Sequence, residues 1–335
     1  MLYPQPLGSD VLKLAHSDSI GKIIRQDDLA TLGISSQTMA EQAIAGGRLE
    51  EAREIAPYFL EEIRMMGGVM YTWMECTFGD LLEAGGHREA RDTAAAFALT
   101  PRRFDPGAPA LPKVMRALDR GDGEEAIRQL EHMRYEFRVV HDLCVRWNQD
   151  LLTRVAETQG EDAVLASILR TCESVWIKRF NAWYDWPVID RVYFTAEGMR
   201  AHIVGSRRRG DMAIVEEDDR YVFSFEPCGS CGIMRRGDPE TGREPYEPAG
   251  NTVPTAWSWF RTGVSWYGIH SPIAMEWMWM REGRPPIRPH EGCDRDHPCR
   301  WYVYKEIEKT PAAFYERMGF EPPATAARGL VLDDR

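Results

Sequence analysis

An internal repeat is the feature of this sequence that most restricts how the chain can fold. Segments 43–86 and 117–160 align without gaps at an offset of 74 residues. In both copies the pattern Gly-x-x-Glu-Glu-Ala opens an amphipathic run, an apolar stretch follows, and a helix with a shared tryptophan (Trp73, Trp147) ends in glycine. Each copy therefore predicts a helical hairpin. Two copies are fewer than the three or more units, of about 34 residues each, that a tetratricopeptide array needs, so the repeat favours a duplicated helical bundle.

The sequence pattern changes after residue 186, which predicts two domains. A further helix over 161–186 completes the first domain, a helical bundle over residues 1–186. The second domain, over 187–335, combines helices with strands, so the fold class is α+β. Its expected elements are a short helix, a β-hairpin, a helix that opens at Ser271-Pro272 and a last strand, over 192–205, 212–227, 273–282 and 299–307.

The charge and apolar content of the chain exclude several classes of function. A net charge of −11 repels polyanions, so we expect no nucleic-acid partner. No apolar run approaches the ~18 residues of a membrane span, and the first residues lack the order of a signal peptide. We therefore expect no membrane partner and a cytoplasmic location. Seven cysteines, an odd number, predict reduced thiols and no disulfide framework in such a chain.

Cysteines and histidines are concentrated in the second domain, where their arrangement is typical of a metal site. Cys228 and Cys231 lie in the sequence CGSCG, whose glycines permit the backbone turns of a zinc knuckle. Cys293 and Cys299 form a second, wider pair before the last strand. His270 precedes a helix start, where the helix dipole disfavours protonation and leaves the imidazole able to bind a metal. Because zinc takes four thiolate, imidazole or carboxylate ligands, these five residues are the predicted ligands, for zinc or for iron.

Two other interpretations of the Cys-x-x-Cys pair stay open. A thioredoxin-type pair begins a helix inside a βαβ unit. Here glycine follows Cys231 and no helical pattern begins, which disfavours redox chemistry. In the second interpretation the cysteines have no shared role and only fill the core, because a buried thiol behaves as a small hydrophobic group.

Aromatic residues surround the predicted ligands and suggest a substrate pocket. They are Trp257, Trp259, Trp266, Tyr267 and Trp277. A buried indole N–H needs a hydrogen-bond partner that a ligand can supply, and an apolar wall excludes water from a metal. The alternative is a purely structural core.

Candidate proton carriers lie close in sequence to the predicted ligands. Zinc hydrolases move protons with a carboxylate or histidine that does not bind the metal, which makes Glu291 and His297 the predicted catalytic residues. Another histidine and carboxylate lie next to each other at His141-Asp142, which aligns in the repeat with Gly67-Gly68. That alignment predicts that the pair marks a bend between two helices.

The stretch HEGCDRDHPCRWYVY, residues 290–304, carries a family resemblance. Its order of Glu-x-Cys, a short loop and Cys-x-aromatic leading into a strand resembles the end of 4-vinyl-reductase-type domains, and also that of the 2-aminothiazoline-carboxylate hydrolase-like family. In the former family the Glu and two Cys bind zinc beside a small aromatic-ligand pocket, which implies those roles for Glu291, Cys293 and Cys299. The spacing between the cysteines is shorter here. Over about residues 220–305 the chain also resembles a group of bacterial Cys/His proteins.

Together these features predict a zinc-dependent enzyme, a hydrolase or lyase that acts on a small planar or aromatic molecule. The alternative is a non-catalytic module, stabilised by zinc, that senses a small molecule or binds a protein. Thiol chemistry at Cys228 is a third prediction. A homo-oligomer, if one forms, is expected to associate through the helical half.

Overall fold

A computed structural model of the chain describes residues 13–84, 105–205, 208–238, 240, 242–291, 299–330 and 332. Over these residues, helices combine with two small antiparallel sheets, in agreement with the predicted α+β class.

Long helices dominate the first 201 residues. Helices α1 to α8 extend over Leu29–Leu32, Ser36–Ala45, Leu49–Glu83, Leu111–Asp119, Gly123–Gln159, Glu161–Val175, Ile177–Ala182 and Val188–Ala201. Helices α3 and α5 have 35 and 37 residues and pack along each other. The helix predicted over 161–186 is divided at Trp176 into α6 and α7. The one predicted from residue 192 begins earlier, because Pro187 supplies its N-cap.

The predicted bend at His141-Asp142 is wrong. Both residues lie inside the continuous helix α5, and Gly67-Gly68 lie inside α3 in the same way. A glycine in a helix interior costs about 1 kcal/mol relative to alanine, which the packing of a long apolar face outweighs. Each repeat copy therefore holds the end of a short helix, a turn and one long helix, and the duplication itself stays a prediction.

Six strands form the two sheets. Strands β1 and β2, over Leu14–Ser17 and Lys22–Arg25, make a hairpin that the sequence analysis missed because it treated this half as helical. The other strands are β3 to β6, over Ala213–Glu216, Arg220–Phe225, His290–Glu291 and Cys299–Tyr304. They are antiparallel in the order β3-β4-β6-β5. The predicted β3–β4 hairpin and last strand are confirmed.

Three helices of the second half complete the described fold. Helix α9, Cys231–Arg236, begins at the second cysteine of CGSCG, so the prediction that no helix starts there is wrong. Helix α10 extends over residues 270–281 as the segments His270–Pro272, Ile273–Trp277 and Met278–Arg281, of which the middle one is a π-helical turn. It begins at His270, one residue before the predicted Ser-Pro start, and Gly283 at φ +75° follows its end. Helix α11 is Ala312–Glu316.

One apolar core extends through both halves of the chain. Trp73 of α3 stacks on Tyr267, with ring centroids 4.8 Å apart, and Phe180 of α7 meets Trp279 of α10 edge-on. The helical half therefore packs directly against the sheet half, while the domain boundary at residue 186 stays a prediction.

A buried ion pair joins α3 to α8 within this core. Arg200 donates from Nε to Glu62 Oε1 at 2.8 Å and from Nη1 to the Leu32 carbonyl at 2.8 Å. Ser36 donates to the other oxygen of Glu62 at 2.5 Å. Both charged groups are almost fully removed from water. Removal of either one would leave the other charge buried among apolar groups without compensation.

We expect Arg200→Met to destabilise the protein by about 3–5 kcal/mol, because it leaves the Glu62 carboxylate buried without its counter-charge. The measurement is urea unfolding followed by tryptophan fluorescence. The matched control is Arg154→Met, which breaks an exposed Arg154–Glu157 pair on α5 and should cost less than about 1 kcal/mol. Equal losses in the two variants would contradict the assignment.

Candidate functional site

A cavity of about 110 Å³ lies where the two halves of the chain meet. Its apolar wall comes mainly from α3, α7, α8 and α10, and includes Met65, Met66, Val69, Phe180, Phe194 and Met275. The opposite wall is formed by the loop between β4 and α9, with the first residues of β6. Thiols and imidazoles therefore line one small space together with apolar side chains.

Three cysteines of this wall converge on one sulfur, that of Cys228. The thiols of Cys231 and Cys299 donate hydrogen bonds to the Cys228 sulfur, and the N–H of Gly232 donates to it at 2.8 Å. These bonds lower the pKa of Cys228 well below its ordinary value, although burial acts in the opposite direction. These bonds thus favour the thiolate form of Cys228 relative to an isolated thiol.

Sheet register explains how Cys299 reaches the loop between β4 and α9, residues 226–230, which we call the thiol loop. Cys299 is the first residue of β6 and pairs with Phe225, the last residue of β4. Cys228 follows Phe225 by three residues, so the turn after β4 carries it toward the neighbouring strand. The six cysteines that the structure describes are all free thiols, as the sequence predicts.

The thiol loop lies directly against the end of α8. Gly205 donates its N–H to the Pro227 carbonyl at 3.0 Å. A Cβ built on Gly229 would lie 1.8 Å from the carbonyl oxygen of His202. Only glycine fits at this close approach, which fixes the loop relative to His202.

His270 presents an unprotonated nitrogen at the cavity. Its Nδ1–H donates to the carbonyl of Tyr267 at 2.5 Å, so Nε2 carries the lone pair. Burial lowers the pKa of His270 to about 4 and keeps the ring neutral at pH 7. The sequence analysis attributed this neutrality to a helix dipole, but burial among Trp73, Tyr267 and Trp176 is the main cause.

A second imidazole reaches the cavity through a chain of buried hydrogen bonds. Asp142 accepts two bonds of 2.5 Å from Arg208, and its Oδ1 lies 3.1 Å from His141 Nδ1. His141 Nε2 lies 3.0 Å from His202 Nδ1. Although burial raises the pKa of Asp142, Arg208 and His141 lower it below its ordinary value, so the carboxylate is charged. It can only accept, which places a proton on Nδ1 of His141 and then of His202.

His202 therefore also has an unprotonated Nε2, on the side of the ring that faces away from this chain of hydrogen bonds. Burial lowers the pKa of His202 well below its ordinary value and lowers that of His141, so both rings are neutral. Sequence reasoning missed this chain because it placed a bend at His141. Because α5 is continuous, residues 137, 141, 144, 145 and 148 share one buried face. A histidine next to an aspartate on such a face is the sequence signal that could have identified this chain of hydrogen bonds.

The structure brings together four of the five predicted metal ligands. Cys228, Cys231, His270 and Cys299 all line the cavity, whereas Cys293 lies outside the described residues. Over the described part of the chain, no group of three Cys, His, Asp or Glu side chains is arranged to hold a metal ion. The four donors therefore share a cavity without forming a closed coordination cage.

Of the two predicted catalytic residues, one lies within the described part of the chain. Glu291, on strand β5, accepts a hydrogen bond from the Tyr302 hydroxyl and does not line the cavity. His297 lies outside the described residues.

The predicted aromatic pocket is also placed differently. None of Trp257, Trp259, Trp266, Tyr267 and Trp277 lines the cavity. Tyr267 packs behind His270, and Trp259 packs edge-on against His290 at 5.1 Å, so these two rings fill the core. The aromatic side chains that do line the cavity are Trp176, Phe180, Phe194, Phe225 and Trp301.

Comparison with protein-family models, curated proteins and solved structures gave no match for this chain. The resemblance to 4-vinyl-reductase-type domains stays a prediction. Within the described ranges, no helix combines the length and apolar character needed to cross a membrane.

We expect nitrogen-15 NMR at pH 7 to find His141, His202 and His270 neutral and protonated at Nδ1. The carboxylate of Asp142 and the carbonyl of Tyr267 require this tautomer, because each can only accept a hydrogen bond. The exposed His16 and half-exposed His132 serve as internal references. A proton on Nε2 of His202 would contradict the chain of hydrogen bonds.

We expect Gly229→Ala to displace the thiol loop and to destabilise the protein by about 1–3 kcal/mol, because the new methyl overlaps the His202 carbonyl. Thermal unfolding measures the loss. The control is Gly68→Ala on α3, where a Cβ meets nothing within 4 Å and should stabilise by about 0.5–1 kcal/mol. Full stability in Gly229→Ala would show that the loop is not fixed by this contact.

Proposed function

We propose that the chain is a zinc-dependent enzyme, a hydrolase or lyase that acts on a small molecule in this cavity. The observation that carries the proposal is the convergence of three cysteine sulfurs in a cavity that also holds two neutral imidazoles with unprotonated Nε2 atoms. Thiolate and neutral imidazole are the ligands that zinc prefers in proteins. Reduced thiols also agree with the expected cytoplasmic location.

The donor set fits zinc in its chemistry. Cys228, Cys299 and His270 would hold the ion and leave a fourth position for water or substrate, whereas Cys231 as a fourth ligand would close the site; iron is the second metal that this set suits. His270 donates its other ring nitrogen to a backbone carbonyl, an arrangement common for histidines that bind metals. Because the donors do not form a closed cage, binding requires side-chain adjustment within the cavity. When bound, zinc supplies a Lewis acid and lowers the pKa of a water ligand.

His202 is the residue best placed to move a proton. Its Nε2 carries a lone pair at the cavity, and its Nδ1–H is held by His141, which Asp142 orients. Asp142 and His141 orient His202 for proton uptake at Nε2, as the orienting members of an acid-base triad do, while burial opposes this uptake and the nearby Cys228 sulfur favours it. The surrounding apolar wall excludes water and strengthens these electrostatic interactions.

Elemental analysis of protein purified without chelators tests the metal. We expect about one equivalent of zinc, and after cobalt substitution an absorption band from thiolate ligands. Cys228→Ser and Cys299→Ser should lose most of the metal, because each removes a thiolate ligand. Cys76→Ser is the matched control, since this half-buried cysteine of α3 does not line the cavity. Less than about half an equivalent in the unmodified protein would contradict the proposal, given the affinity of such sites.

Cys231→Ser separates a catalytic from a structural zinc. Retained folding with altered metal spectra supports an open, catalytic site, whereas loss of folding together with loss of metal supports the non-catalytic alternative. Thiol chemistry at Cys228 is a second candidate function, favoured by the start of α9 at Cys231. It predicts that metal-free protein is inactivated by iodoacetamide, and that Cys228→Ser is not modified in the loop.

A further inference from the structure

Arg288 is a buried arginine in the wall of the same cavity. Only 5% of its surface is exposed, and its guanidinium lies 5.1 Å from the Trp301 ring centre, 5.3 Å from that of Trp183 and 5.6 Å from that of Phe180. Its Nη2 lies 3.2 Å from the thioether sulfur of Met275. The charged group is thus surrounded by aromatic rings and a sulfur atom.

No carboxylate of the described residues pairs with Arg288. Its Nε has no hydrogen-bond partner there, and no aspartate or glutamate is among the described residues that line the cavity. Four other buried arginines each pair with a carboxylate: Arg25 with Asp27, Arg138 with Asp238, Arg200 with Glu62 and Arg208 with Asp142. Arg288 differs from these four by facing a cavity in place of an acid.

Such an arrangement is costly unless a ligand completes it. Burial lowers the pKa of Arg288 to about 9, which still leaves the guanidinium charged at pH 7. Aromatic rings offset only part of the lost hydration, because a cation over a ring is a weaker partner than a carboxylate. A buried donor in a cavity wall without its acceptor is what a binding site for an anion requires.

The remaining wall sets the size and polarity of that anion. Arg179 lines the cavity from an exposed position, so a second positive charge faces an approaching ligand. The volume of about 110 Å³ is below the ~150 Å³ of an apolar cavity that accommodates benzene. The enclosed part of the ligand is therefore smaller than a benzene ring, and a larger body extends through the open side of the cavity.

We propose that Arg288 binds the charged end of a small organic anion whose apolar body occupies the cavity. The inference rests on the proposed function, because it takes this anion to be the substrate of the proposed enzyme. It adds the substrate class, a small organic anion. The planar guanidinium can donate two parallel hydrogen bonds to an oxyanion, which would orient the ligand relative to the thiols and His202.

Calorimetric titration with benzoate and with its neutral analogue benzamide tests the inference. We expect benzoate to bind at least tenfold more tightly than benzamide, and Arg288→Met to abolish this preference while leaving benzamide affinity unchanged. The matched control is Arg284→Met, because Arg284 stacks on Tyr184 and Trp279 outside the cavity and already pairs with Asn181. It should retain the full preference for benzoate.

Thermal unfolding distinguishes binding from a structural role. Without ligand, Arg288→Met should unfold at the same temperature as the unmodified protein or higher, since it removes a buried charge that has no counter-ion. Benzoate should raise the unfolding temperature of the unmodified protein only. A lower unfolding temperature for Arg288→Met, together with an unchanged preference for benzoate, would overturn the inference.

The same titration on protein dialysed against a chelator separates this inference from the proposed function. Arg288-dependent benzoate binding that persists in protein without metal supports the anion site even if zinc is absent from the purified protein. Benzoate binding that needs the metal and survives Arg288→Met places the anion on the metal, which overturns the inference and leaves the zinc proposal standing. Equal affinity for benzoate and benzamide in both preparations overturns the inference alone.

Discussion

The bidentate ion pair between Arg208 and Asp142 is the interaction on which the candidate site depends. Arg208 also approaches Asp238, which binds Arg138 of α5, and the carbonyl of Gly229 in the thiol loop at 3.4 Å. Its backbone is held at φ +48°, a conformation that costs energy for a residue with a side chain. One guanidinium thus joins the long helix that carries His141 to the loop that carries the cysteines. Arg208 therefore positions both the imidazoles and the thiols of the candidate site.

The helical half contributes to the site and does not only support it. Helix α3 provides Met65 and Met66, α8 is followed by His202, and α5 provides the histidine and aspartate that orient it. The sheet half provides the thiols, through the register of β4 and β6. The candidate site therefore lies at the contact between two regions that the sequence pattern separates into domains.

Sequence reasoning located the chemical groups better than it located their surroundings. Cys228, Cys231, Cys299 and His270 could be found because metal-binding residue types at short spacings are a local signal. The orienting chain could not, because His202 and Asp142 are 60 residues apart in sequence and their contact depends on how α5 and α8 pack. The aromatic prediction failed for a related reason: composition indicates that tryptophans are buried, but only packing decides which of them face a cavity.

The close approach of Gly229 to the His202 carbonyl connects the two kinds of chemistry mechanically. The thiols and the His202 imidazole lie on separate segments, yet no space remains between the backbones of those segments at Gly229. A shift of the loop by a few tenths of an ångström must therefore move the end of α8, and the imidazole with it. Under the proposed function, closure of the sulfur atoms around an ion would therefore also displace His202, so that binding of the ion and alignment of the imidazole would be coupled.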